Sequence, residues 1–65
     1  MTNKEIELLE IIGSRIEYKL DCLNCCSQDI GFWLDGIIFS LNPEYSSELF
    51  NELYALRDYY LGLED

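Results

Sequence analysis

The spacing of the aliphatic residues narrows the fold more than any other feature, because steps of three and four gather side chains onto one stripe of an α-helix and scatter them over both faces of a strand. In the first segment Leu9, Ile12, Ile16, Leu20 and Leu23 recur at these steps, with Ile6 and Leu8 widening the stripe early. A complete helix start precedes them: Thr2 as N-cap, Glu5 three residues on to close a capping box, and Met1 facing Ile6 as a hydrophobic staple. A helix is expected from about residue 3 to near residues 24–26, weakened in the middle by Gly13. The last third repeats the pattern with Leu49, Leu53, Leu56, Tyr60 and Leu63, flanked by Phe50, Tyr54 and Leu61. Asn42-Pro43 breaks the chain ahead of it, either with Pro43 at the first helical position or through a short turn before Ser46 caps the helix. Gly62-Leu63 has the pattern of a Schellman stop, with the glycine in the left-handed conformation.

The middle segment, residues 29–41, supports two readings. As a helix it places Ile30, Trp33, Leu34, Ile37, Ile38 and Leu41 on one arc and leaves Phe32 and Phe39 outside it. As a hairpin it turns at Asp35-Gly36 and pairs Leu34 with Ile37, Phe32 with Phe39 and Ile30 with Leu41. Two interior glycines cost a helix roughly 1 kcal/mol each, while an isolated two-stranded hairpin is itself marginal. The short polar turns on both sides, including Ser27-Gln28-Asp29 with Ser27 available as a cap, suit antiparallel helices. The expected fold is therefore all-α, a compact three-helix bundle, and the alternative is an α+β helix-hairpin-helix with a two-stranded antiparallel hairpin at about residues 30–41.

Sixty-five residues provide one domain, residues 1–65. Thirteen acidic residues against four basic ones give a net charge of −9, yet 49% of residues are hydrophobic, which separates the chain from disordered acidic tails. Such a charge repels nucleic acid and anionic lipid, so neither a direct nucleic-acid nor a membrane partner is expected, and the expected partner is a basic protein surface. Met1-Thr2-Asn3-Lys4-Glu5 runs into acids rather than an apolar leader, and no apolar run reaches the roughly 18 residues of a membrane span, so the expected compartment is the cytoplasm.

Catalytic chemistry has little to work with. Histidine is absent, the four glycines form no phosphate loop, and neither Ser14 nor any cysteine has a base of the usual kind beside it. We expect no enzyme and no cofactor. Cys22, Cys25 and Cys26 form a CxxCC cluster, but a structural zinc site wants four ligands and neither a fourth cysteine nor a histidine is present. The expectation is reduced thiols packing a turn, with no metal.

The acids are better organised. On the first helix Glu7, Glu10, Ser14, Glu17 and Asp21 share a polar face, and the last segment holds Glu44, Glu48, Glu52, Asp58, Glu64 and Asp65 against Arg57 alone. Glu48 and Glu52 stand about 6 Å apart along a helix, comparable to two base-pair rises of a nucleic-acid strand. The aromatics Phe32, Phe39, Tyr45, Tyr54, Tyr59 and Tyr60 exceed what so small a core can hold, so some are expected at a contact surface. In size, charge and lack of catalytic groups the chain is similar to the small acidic inhibitors that phages use against host nucleases and restriction or CRISPR complexes. That resemblance implies occlusion of a basic, nucleic-acid-binding surface of a target protein, with Glu7, Glu10, Glu17, Asp21, Glu44, Glu48, Glu52 and Asp58 as the charged contacts and Phe32, Phe39 and Tyr59 at the centre. The alternative is a self-associating structural or regulatory module in which an aromatic face closes a homodimer.

Overall fold

The computed structural model describes residues 1–63 and folds them into α1 (Asn3–Asp21), α2 (Ser27–Ser40) and α3 (Ser47–Gly62), with no strand among the described residues. The three-helix reading is correct and the hairpin is excluded: Asp35-Gly36 lies inside α2, and Ile30, Leu34 and Ile38 turn one buried face inward. Helix wins because that face meets Leu49 and Leu53 of α3, which offsets the propensity cost of two glycines.

α2 and α3 form the closest pair and run antiparallel, Gly31 lying beside Leu61 and Asp35 bonding Arg57. At Gly31 the backbones come so near that an added Cβ would stand 2.5 Å from Cγ and Cδ2 of Leu61. Gly13 and Gly36 have nothing within 4 Å of that position. Alanine at either of these two sites is expected to stabilise its helix by roughly 1 kcal/mol, about 4–8 °C in Tm for a domain this small. Thermal melts showing no gain at either would contradict this packing.

α1 approaches the pair less closely. Its capping box forms as expected, Glu5 N–H donating to Thr2 Oγ1 at 3.3 Å and Thr2 N–H to Glu5 Oε1 at 3.1 Å. Its core face follows the expected stripe only through the middle of the helix: Ile12 and Ile16 are buried with Leu8 and Leu9 against them, whereas Ile6, Leu20 and Leu23 toward the two ends are exposed. Both members of the expected staple, Met1 and Ile6, are also exposed. The helix ends at Asp21 rather than near residues 24–26, because Asn24 takes a φ of 53° and the chain reverses so that Cys25 N–H reaches the Lys19 carbonyl at 2.9 Å.

Two further details depart from the expected pattern, at Ser27 and Gly62, and at Pro43 the structure takes the second of the two expected forms. Cys26, not Ser27, is the N-cap of α2, and Ser27 is a buried first-turn residue. Pro43 stays outside α3: Asn42 Oδ1 accepts from Glu44 N–H at 2.9 Å in a tight turn, after which Ser46 caps the helix by accepting from Leu49 N–H at 3.4 Å. Gly62 is the last residue of α3 and no described glycine has positive φ, so the chain leaves the helix through an extended Leu63 and not by a Schellman stop.

Candidate protein-binding surfaces

One acid of α1 stands apart from the exposed ones: Glu5, on the buried face with Ile12 and Ile16, is only 3% exposed. Besides its capping box it accepts from Ser46 N–H at 3.0 Å and from the Ser46 hydroxyl, so one carboxylate closes the N-terminus of α1 and holds the cap of α3. These donors, the Ser46 hydroxyl first and the Thr2 N–H next, hold the Glu5 carboxyl down at about 2 from an ordinary 4.5. At the other end of α1, Lys19 lies 5.0 Å from the centre of the Trp33 ring, which fixes that end against α2. The sequence reading missed both contacts, since Ser46 and Trp33 are far along the chain from their partners.

The predicted charged residues are all exposed. At about 100° per residue, Glu7, Glu10, Glu17 and Asp21 fall within an arc of about 80° on the side of α1 opposite Ile12 and Ile16. An open groove on that side is lined by Glu7, Glu10, Ile11, Ser14, Arg15 and Tyr18, all from α1. Ile11 is 56% and Tyr18 is 53% exposed, seven residues apart, so two large apolar side chains stand at the edge of the acidic arc, with Arg15 on their other side. Neither was singled out from the sequence, although helical geometry places them about 20–40° beyond Glu7 at the edge of the polar face.

On α3, Glu48, Glu52 and Tyr59 fall within about 40° of one another, and Glu48 accepts from the Met1 amino group at 3.4 Å, which places this row on the α1 side of the molecule. Glu44 lies in the preceding turn. Asp58 does not join the row. Its carboxylate is held by Arg57, at 3.2 Å from Nε and 3.0 Å from Nη2, while Nη1 of the same guanidinium reaches Asp35 at 3.0 Å. Arg57 also stacks 4.8 Å from the Tyr54 ring, and Asp58 and Asp35 together hold it more firmly protonated. Two of the four basic residues, Lys19 and Arg57, are thus engaged within the fold. Glu64 and Asp65 lie outside the described residues.

Phe32 and Phe39 are 65% and 82% exposed, but on the outward side of α2, away from the acids of α1 and α3. The structure therefore separates the expected contact into two surfaces, one acidic with Ile11, Tyr18 and Tyr59 beside the carboxylates, the other aromatic and nearly uncharged. Cys22 and Cys26 are exposed and Cys25 is half-buried, all as free thiols, and no group of three metal-ligating side chains comes together among the described residues. No described helix is long and apolar enough to cross a membrane. Comparison with protein-family models, characterised proteins and solved structures finds no match for this chain, so function is read from these surfaces.

Proposed function

We propose that this protein is a cytoplasmic acidic binding module, without catalytic chemistry, that occludes a basic surface on another protein. The observation that carries the reading is the outer face of α1, where Ile11 and Tyr18 are exposed along the edge of the row formed by Glu7, Glu10, Glu17 and Asp21. Carboxylates alone would merely solvate a helix, but solvation does not call for two large exposed apolar groups beside them. Together they have the composition of a contact in which apolar anchors supply affinity and charge supplies steering and choice of partner. Glu48, Glu52 and Tyr59 extend the surface onto α3. The target class that fits is a nucleic-acid-binding protein such as a nuclease, whose groove is basic and accepts regularly spaced negative charge, and the protein would act as anti-restriction or anti-CRISPR inhibitors of phages do, by blocking that groove.

Charge reversal tests this directly. Glu10→Lys with Glu17→Lys, and separately Glu48→Lys with Glu52→Lys, are each expected to weaken binding to the captured basic target by tenfold or more, on the order of 1.4 kcal/mol or above. These side chains are exposed and outside the core, so the fold and Tm should hold to within a few degrees. Unchanged affinity in both double variants would remove the acidic surface from the contact.

A further inference from the structure

We propose that the outward face of α2 seats a second copy of this chain, in an antiparallel, twofold-symmetric contact centred beside Gly36. Phe32, Gly36 and Phe39 follow one another at steps of four and three, so two exposed rings stand either side of a gap over which nothing lies within 4 Å. A twofold axis beside Gly36 brings Phe32 of one protomer against Phe39 of its partner, and the missing side chain at Gly36 lets the two backbones close. The pattern is complementary to itself, as an isologous interface requires.

Charge selects the second copy as occupant. Each protomer carries −9, and the outward faces of α1 and α3 are acidic, so a like-charged chain meets the least repulsion on α2. Of the acids on this helix, Asp35 is paired with Arg57 and Asp29 sits in the first turn, beyond Phe32. Antiparallel pairing sends the two Asp29 side chains to opposite ends, about 20 Å apart and beyond a Debye length at ordinary salt. Ser40, at the edge of the face, turns its hydroxyl back onto the Gly36 and Ile37 carbonyls at 2.8 and 3.2 Å, so its donor is already used within the helix. A basic target would gain no electrostatic attraction here.

The size of the patch sets the strength. At about 150–250 Å² per phenylalanine the exposed fractions leave on the order of 300 Å² of aromatic surface per protomer, against about 800 Å² per partner in a standard stable interface. The dimer is accordingly weak, with a dissociation constant on the order of 10–100 µM. It leaves both acidic surfaces outward, and it stands independently of what those surfaces bind.

Sedimentation equilibrium of the full chain from about 10 µM to about 1 mM, at about 0.05 M and about 0.5 M salt, tests the proposal. The expected result is a monomer–dimer equilibrium that tightens several-fold at the higher salt, because screening relieves repulsion between two chains of the same sign. This is the opposite of an acidic–basic contact, which salt weakens. Phe39→Ser is expected to weaken the dimer tenfold or more. Gly36→Glu is expected to raise the thermal stability of the monomer, since glutamate is the better helix former at an open position, and yet to abolish the dimer. A monomer at about 1 mM at both salts, or a dimer whose constant Gly36→Glu and Phe39→Ser leave unchanged, would overturn the proposal. So would a monomeric chain whose Phe39→Ser variant loses the basic target instead, which would assign the face to that target.

Discussion

Gly31→Val is expected to abolish the cooperative thermal transition of this protein or to lower its Tm by more than about 10 °C, the largest effect of any single surface-neutral change. The Cβ alone would stand 2.5 Å from Cγ and Cδ2 of Leu61 and 3.4 Å from its backbone nitrogen, so a rotamer change at Leu61 relieves only part of the overlap, and two branch methyls add more. The antiparallel α2–α3 pair must open, and that pair carries Ile30, Leu34, Leu49 and Leu53, the four largest side chains that are fully buried. A domain of this size rarely has more than about 3–5 kcal/mol in hand, and overpacking costs typically 1–3 kcal/mol or more. A double-mutant cycle isolates the cause. Gly31→Ala should destabilise the native chain but stabilise a Leu61→Ala background by about 1 kcal/mol, since there the helix-propensity gain acts unopposed. Equal effects in both backgrounds would show that the close approach at Gly31 is not what limits that position.

Glu5→Ala is expected to lower Tm on the order of 10 °C, well beyond the loss from Thr2→Ala, because it removes the acceptor for donors at two helix starts at once. The pH dependence follows from the sign of the shift. Folding depresses the Glu5 carboxyl from 4.5 to about 2, so its contribution is fully present above pH 4.5 and is lost as pH falls from there toward about 2. Protonating the remaining carboxylates relieves repulsion in a chain of charge −9 and acts in the opposite direction, so the acid limb of the native chain alone mixes the two. Comparison with Glu5→Gln separates them. The stability difference between native and variant should be flat above pH 4.5 and shrink below it. A difference that stays constant down to pH 2 would mean that the carboxylate charge plays no part in joining α1 to α3.

Local chemistry made most of the helices legible. The Thr2–Glu5 capping box, the Ser46 cap and the three-and-four spacing of Leu49 and Leu53 each act over a single turn, and each appears in the structure where the spacing predicts it. The burial of Glu5 at the start of the α1 stripe and the exposure of Leu20 at its end were not legible, because a buried glutamate violates the binary pattern unless Ser46, forty-one residues away, satisfies the carboxylate. Gly62 failed as a stop signal for a related reason: glycine permits the left-handed conformation without requiring it, and the conformation chosen depends on what the following residues meet. In the candidate surfaces, spacing correctly put the acids in exposed rows. It did not show that Phe32 and Phe39 point elsewhere, since the relative directions of three outer faces are set by the packing at Gly31, Glu5 and Trp33 rather than within any one helix. Ile11 and Tyr18 belong to neither the core stripe nor the acidic row, so neither spacing pattern marks them.

The proposed function requires that the acidic face of α1, with its apolar anchors, bind a basic protein. Affinity capture from lysate with tagged protein, eluted in rising salt, tests it most directly when run in parallel with Glu10→Lys/Glu17→Lys protein as bait. The expected result is a basic, nucleic-acid-handling protein that the native chain retains at low salt, that moderate salt releases as charge contacts are screened, and that the reversed bait does not capture. Recovery of that protein equally by both baits, or capture of nothing that salt releases, would contradict it.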